Sequence, residues 1–274
     1  MNARQPLSIL KTVILYLTLI GFLFPFILVV MNSFKKTQYF VENPLSLPRS
    51  LDFENYINAF RNMGFMDAFF NSMLITLISV FLILIFSSMT GYLFVRFKWK
   101  LNAALFFIML ASMALPFQVL MIPLVMMYGN MELLNMKSTL IFMYIGFGIP
   151  FGVFTFHGFI KGVPLELEES AFLEGSSRLR TFFQIILPLL KPVIVTLVVL
   201  DVLWIWNDYL LPSLVLLSPE HKTLPLSTYS FFSSYSVDYG PLMAGLVMTV
   251  IPVLVLYLLL QNQIIKGITQ GALK

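Results

Sequence analysis

Two carboxylates, Asp201 and Asp208, stand in the apolar stretch of residues 193–217, which is long enough to cross a bilayer. A charged group within such a stretch is costly, so it is a functional candidate by default. The two acids are seven residues apart and would share a helix face, with Trp204 on the same stripe. Such a face could line a path across the membrane. Alternatively, both acids bond to backbone or neighbouring-helix groups and only fix the packing; the spacing leaves both interpretations open.

Other residue patterns give no support to metal or enzymatic chemistry. His157 and His221 have no carboxylate or second histidine at ligand spacing, so both are interpreted as packing or surface residues. Cysteine is absent, which excludes disulfides and thiolate metal sites. The sequence contains no Gly-x-x-x-x-Gly-Lys-Ser/Thr phosphate loop, so ATP hydrolysis is not expected on this chain. We predict no catalytic residue and no metal site here.

The composition indicates a membrane protein. Of the 274 residues, 59% are hydrophobic and 11% are charged, and the mean hydropathy is +0.89. A soluble domain carries about 25% charged residues. The apolar excess is therefore too large for one soluble core. The net charge of +4 is modest and requires no nucleic-acid partner. The first apolar run is too long for a cleavable signal and is expected to remain as an anchor.

Six stretches contain the roughly 20 apolar residues that a helix needs to cross the hydrocarbon core. We predict an all-α membrane protein, a single transmembrane domain over residues 1–274 with six transmembrane helices. The predicted spans are residues 9–31, 72–95, 101–127, 140–160, 193–217 and 242–260.

The distribution of Lys and Arg favours cytoplasmic N- and C-termini. In that orientation 11 basic residues face the cytoplasm and 6 face outside, and the short basic turn at residues 96–100 is the strongest single pointer. Residues 161–192, between helices 4 and 5, and the tail of residues 261–274 would then be cytoplasmic. Residues 32–71 would lie outside. They include an amphipathic run, residues 56–70, interpreted as a surface helix packed on the bundle or as part of a landing surface for an external protein.

The cytoplasmic stretch from Pro164 to Pro192 is the most polar part of the second half of the chain. It predicts two short helices and a turn. Pro164 suits a first helical position, and the glutamates that follow suit the positive end of a helix dipole. Gly175 comes where a left-handed cap would end the first helix. The second helix would run from Arg178 and stop at Pro188, too short to cross a bilayer.

This stretch resembles the EAA loop of ABC importer permeases. Glu169-Ser170-Ala171 is followed after three residues by Gly175, then by Ile185 and Leu187-Pro188 at the family's spacing. Ser170, Glu174 and Ser176 stand where the sugar-importer branch commonly has Ala, Asp and Ala. The resemblance implies a coupling helix that inserts into a cleft on a cytoplasmic ATPase subunit. The implied coupling residues are Glu169, Ser170, Ala171, Gly175, Ile185, Leu187 and Pro188.

The resemblance extends over nearly the whole chain. The run Trp206-Asn207-Asp208-Tyr209 is similar to a Trp-Asn-acid-aromatic element of sugar-importer permeases, which implies that its face meets sugar hydroxyls and rings. The end of the chain is similar to the tail of the maltose-type second permease subunit, which implies contacts of Gly271 and Lys274 with the ATPases. Together with the acidic stripe of the fifth span, this run gives a predicted substrate path of Asp201, Trp204, Trp206, Asn207 and Asp208, and Gln118 on the third span is a weaker candidate.

The resemblance implies a multi-pass subunit of the inner or plasma membrane that forms half of a carbohydrate importer in lipid. Its partners would be a second homologous permease subunit, two ATPase subunits that hold ATP and magnesium, and an extracytoplasmic solute-binding protein. The alternative is a secondary transporter or channel driven by an ion gradient through Asp201 and Asp208, but it would need internal repeats or a second helical half, which are not visible. A membrane enzyme would need a catalytic cluster, which is not found.

Overall fold

The computed structural model describes residues 4–232 and 236–272, with side chains described for residues 10–232, 236–259 and 261. Within these residues the regular structure is helical, and strand-like pairing is confined to an isolated bridge between Phe232 and Val237. The all-α prediction is confirmed for this part of the chain. The helices are α1 (Arg4–Asn32), α2 (Thr37–Glu42), α3 (Glu54–Asn62), α4 (Phe65–Arg96), α5 (Lys100–Ser112), α6 (Phe117–Asn130), α7 (Lys137–Ile160), α8 (Glu166–Leu173), α9 (Arg178–Leu189), α10 (Lys191–Asn207), α11 (Leu210–Val215), α12 (Leu224–Ser227) and α13 (Tyr239–Ala272).

Four helices of the described chain are long and apolar enough to cross a membrane as single elements: Leu10–Asn32, Phe65–Arg96, Lys137–Ile160 and Tyr239–Leu259. Two further pairs, α5 with α6 and α9 with α10, meet the same criterion together, but they are bent by 102° and 76°. The described chain therefore has four candidate spans, or six if each bent pair counts as one.

The third predicted span, residues 101–127, is not one continuous helix. After α5 ends at Ser112 the chain makes successive tight turns, and α6 begins beyond Pro116, whose backbone is extended. Proline has no N–H to donate and disfavours helical geometry in the residue before it. The run of apolar residues continues through this break, so hydropathy alone could not reveal it.

The fifth predicted span, residues 193–217, also ends early. Helix α10 stops at Asn207, and Asp208 takes an extended conformation (ψ 129°). The Asp208 Oδ1 atom accepts a hydrogen bond from the Leu210 backbone N–H at 3.0 Å, which stabilises the turn into α11. Asp208 is therefore not on the same regular helix as Asp201, and the predicted shared face does not extend to it.

Clustering of backbone contacts divides the described chain into two units. The first contains the residues up to Met66 and Ser227–Pro252. The amphipathic run of residues 56–70 is split at Gly64 (φ 57°), which lies between α3 and α4. Asn55 Nδ2 donates to the Ser33 and Lys35 carbonyl oxygens at 2.9 and 2.8 Å. These bonds hold the start of α3 against the segment that follows α1.

The start of α13 is held in this first unit by hydrogen bonds to Thr37. Thr37 Oγ1 donates to Asp238 Oδ1 at 2.5 Å and accepts from the Gly240 N–H at 3.0 Å. A Cβ atom at Gly240 would come within 2.8 Å of the Lys35 carbonyl oxygen. Lys35 itself is buried; its Nζ donates to the Asn43 and Pro44 carbonyls, and burial lowers the pKa of its ammonium group.

The second unit, Asp67–Leu226 with the chain from Val253, contains a close approach of α4 and α7. A Cβ atom at Gly148 or at Gly152 would come within 2.5 Å of Ile83 Cδ1 or Ser87 Oγ, respectively. Small residues at such positions let two helices pack closely in a membrane. Two apolar clusters, around Tyr144 and around Phe156, bury the contacts of α4, α7 and α10 in this unit.

Candidate coupling loop and substrate path

The polar loop contains the short helix predicted from its sequence, but α8 begins at Glu166, two residues after Pro164. Its C-terminal end matches the expected left-handed cap. Gly175 has φ 83° and donates to the Phe172 carbonyl at 3.0 Å, and Ser176 donates to the Ala171 carbonyl at 2.9 Å. This pair of bonds defines a Schellman motif, in which glycine avoids the steric cost of a left-handed residue.

Helix α8 has one buried and one exposed face. Glu168 and Ala171, three residues apart, are buried, whereas Glu169 and Ser170 are exposed. Leu173 is 91% exposed at the end of the helix. Leu165, Leu167 and Phe172 are also exposed, so the loop presents several apolar side chains on its surface.

Glu168 attaches the buried face of α8 to the end of α4. Its Oε1 accepts a hydrogen bond from Arg96 Nε and its Oε2 one from the Tyr92 hydroxyl, each at 2.6 Å. Arg96 also donates from Nη2 to the Val163 carbonyl at 3.0 Å. Glu168 is only 2% exposed, so its carboxylate is removed from water, and the Arg96 guanidinium and the Tyr92 hydroxyl replace its hydrogen bonds to water. The sequence did not predict these contacts, because Glu168 lies 72 residues from Arg96 and 76 residues from Tyr92.

Helix α9 follows the loop, and its apolar side is buried within the protein. Phe182 and Ile186 are buried in the cluster around Phe156. The predicted stop at Pro188 is wrong: α9 contains a π-helical turn at Phe182–Ile186 and continues to Leu189, and the bend into α10 follows at Leu190. Of the predicted coupling residues in α9, Ile185 and Leu187 are half-buried and Pro188 is exposed.

The predicted path residues fall into two groups. Trp204 packs edge to face against Tyr144, with ring centroids 5.5 Å apart, and the Tyr144 hydroxyl donates to Asp208 Oδ2 at 2.9 Å. Trp204, Tyr144 and Asp208 are therefore held together. Tyr144 was missed because it lies 64 residues before its partner, on α7. A tyrosine within an apolar span was the only signal in the sequence.

Asp201 is buried and lines a groove with Trp204. Trp206 is turned away toward Phe69, with ring centroids 5.9 Å apart. Asn207 is exposed, and its amide donates back to the Leu203 carbonyl at 2.7 Å. Gln118 is exposed in the first turn of α6. None of the contacts described for Trp206, Asn207 and Gln118 joins them to the Trp204–Tyr144–Asp208 group.

The remaining predicted positions add little to either site. Gly271 is part of helix α13, and Lys274 lies outside the described residues. His157 packs against Phe106, with ring centroids 4.1 Å apart. The Nδ1 atom of His221 lies 3.3 Å from the Oδ1 atom of Asn135. Among the described residues, no group of three or more potential ligands could hold a metal ion.

Comparisons with known proteins identify the family. Residues 83–270 match the family described as binding-protein-dependent transport system inner membrane component. The chain is 45% identical over 250 residues to the probable starch degradation products transport system permease protein AmyC of Thermoanaerobacterium thermosulfurigenes, covering 91% of each chain. It is 34% identical over 268 residues to the multiple sugar-binding transport system permease protein MsmG of Streptococcus mutans, covering 96% of each.

A solved structure shares the fold. It is a bacterial ABC transporter involved in the import of the acidic polysaccharide alginate, and one of its chains aligns with a TM-score of 0.82 at 21% identity, covering 96% of this chain and 98% of that one. The family match and the candidate spans agree with a multi-pass protein of the cell membrane. The chain belongs to the family of binding-protein-dependent transport system inner membrane components.

Proposed function

We propose that this chain is a permease subunit of a binding-protein-dependent ABC importer for sugars or oligosaccharides. The observation that carries the proposal is the family match together with extensive similarity to relatives named for sugar transport, over nearly their whole length. The chain would form half of the translocation pathway, with a second homologous permease subunit forming the other half.

In this proposal each bent helix pair counts as one crossing, which gives six transmembrane helices with both termini in the cytoplasm. Two ATPase subunits, which hold ATP and magnesium, bind on the cytoplasmic side, and a solute-binding protein docks outside. The tail, including Gly271 and Lys274, reaches the ATPases. The excess of basic residues on the cytoplasmic side supports this orientation.

The loop around α8 is the coupling element. Its exposed face, with Glu169, Ser170 and Leu173, enters a cleft on an ATPase, while Ala171 and Gly175 shape the helix and its end. Closure of the ATPases displaces α8, and the bond of Glu168 to Arg96 passes that displacement to α4. Rigid tilting of packed helices then exposes the pathway alternately to the two sides of the membrane.

Co-purification and uptake test the proposal. The tagged chain, expressed from its own gene cluster and extracted in mild detergent, should bring down an ATPase and a second permease. The reconstituted complex with its binding protein should take up at least one of maltotriose, diacetylchitobiose, arabinotriose and raffinose, and only with ATP. Uptake by the purified chain alone, or uptake driven by an ion gradient without ATP, would refute it.

A further inference from the structure

One buried side chain in the membrane-spanning part of α10 has an unsatisfied hydrogen-bonding atom. Asp201 is only 4% exposed, and its Oδ2 atom has no hydrogen-bond partner among the described residues. A buried polar group without a partner costs about 1–3 kcal/mol, and a buried charge costs more. Packing alone does not explain an acid at this position, because the described residues give its Oδ2 atom no donor to bind.

Asp201 lines a groove of about 320 Å³ with Phe147, Gly148, Phe151, Leu200 and Trp204. This volume is at the lower end of the range for small-molecule sites. The described lining contains one acid, no base and three aromatic rings. The χ2 torsion of aspartate is broad, so either carboxyl oxygen can turn toward the groove.

Trp204 is held as the aromatic wall of the groove. It is 41% exposed, and Tyr144 fixes its orientation by an edge-to-face contact. Tyr144 is in turn fixed by its hydrogen bond to Asp208. The indole surface is therefore positioned before any ligand arrives, which reduces the entropy lost on binding.

We propose that this groove is a sugar subsite within the membrane, in which a ring of a neutral oligosaccharide lies against Trp204 and one of its hydroxyls donates to the carboxyl group of Asp201. The inference rests on the proposed function and assigns part of the substrate path to this chain. Aromatic faces and one acceptor group fit a neutral, hydroxyl-rich ligand. A uronic acid would bring a second carboxyl group to a groove that has no base to bind it.

The test uses the complete reconstituted complex. Asp201→Leu removes the acceptor, and Asp201→Asn keeps one acceptor oxygen. Thr196→Val is the matched control, since the Thr196 hydroxyl is satisfied by the Pro192 carbonyl of its own helix at 3.1 Å. The probe is radiolabelled maltotriose, or whichever of diacetylchitobiose, arabinotriose and raffinose the wild type takes up, with trigalacturonate as the acidic competitor.

Asp201→Leu should lower uptake about tenfold or more, the effect of losing a hydrogen bond to a charged group. Asp201→Asn should lower it less, and the control should match the wild type, with equal amounts of assembled complex throughout. Trigalacturonate should not compete. Unchanged uptake by Asp201→Leu, or a loss that only follows reduced assembly, would overturn the subsite while leaving the importer function intact. Failure of the wild-type complex to take up any of the four neutral sugars would instead contradict the proposed function.

Discussion

Arg96 and Glu168, 72 residues apart in the chain, form an ion pair with 2.6 Å between Nε and Oε1, in which Glu168 is buried and Arg96 is half-buried. The pair joins the end of a long membrane helix, α4, to the short helix of the polar loop. Two adjacent glutamates in that loop therefore have different environments: Glu168 is bonded within the chain, and Glu169 is exposed.

Glu168→Ala should destabilise the complex, because it leaves the Arg96 guanidinium without its buried counter-charge, at a cost of about 3–5 kcal/mol. The thermal unfolding midpoint of the purified complex measures this. Glu169→Ala is the matched control and should leave the midpoint unchanged. The double variant Arg96→Met with Glu168→Met should recover much of the loss; a double variant no more stable than Glu168→Ala would contradict a pairwise interaction.

Gly175→Val should separate ATP hydrolysis from uptake. A β-branched residue at φ 83° costs about 1–2 kcal/mol or more, so the end of α8 should rearrange. We expect ATPase activity to persist while uptake per ATP falls severalfold. Gly175→Asn is the control, because asparagine tolerates left-handed geometry and should retain coupling. Normal uptake by Gly175→Val would show that the cap is not needed for coupling.

Leu173→Asp should weaken the association with the ATPase, because it places a charge on the most exposed apolar residue of the loop. The measurement is the amount of ATPase recovered with the tagged chain. Leu47→Asp makes the same change at an 80% exposed leucine of the proposed outer segment and should have no effect. Equal losses from both variants would indicate general instability instead.

The absence of cysteine makes the proposed orientation directly measurable. Lys98→Cys lies in the exposed turn after α4 and Ser50→Cys in the exposed segment before α3. A membrane-impermeant maleimide added to intact cells with a permeable outer barrier should label only Ser50→Cys. Labelling of Lys98→Cys under the same conditions would show the opposite topology, with the coupling loop outside.

Tyr144→Phe should lower uptake severalfold without changing assembly. The ring that contacts Trp204 remains, but Asp208 loses a hydroxyl donor at 2.9 Å, so the orientation of the aromatic pair is less strongly fixed. Initial uptake rates measure the effect. Tyr128→Phe, at a tyrosine packed against the same apolar cluster, is the control. If both variants transport at the wild-type rate, the hydrogen bond to Asp208 has no role in the path.

Features set by adjacent residues could be predicted from the sequence, and those set by distant residues could not. The positions of the long apolar helices follow from hydropathy, and the left-handed end of α8 follows from Gly175. In contrast, nothing in the local sequence distinguishes Glu168 from Glu169, because Arg96 and Tyr92 on α4 decide which is buried. Asp208 looked like a second acid on the stripe of Asp201, but its own bond to the Leu210 N–H ends the helix.

The buried side of α9 and α10 has an evolutionary consequence. Phe182, Ile186, Leu190, Val193 and Leu197 all belong to one apolar cluster between Gly175 and Asp201. Losing or gaining a single residue in α10 before Asp201 would rotate the rest of that helix by about 100° about its axis. Asp201 would then face a different neighbour. Insertions and deletions among homologous chains should therefore be excluded from this interval and should accumulate in the segments between α2 and α3 or after α12.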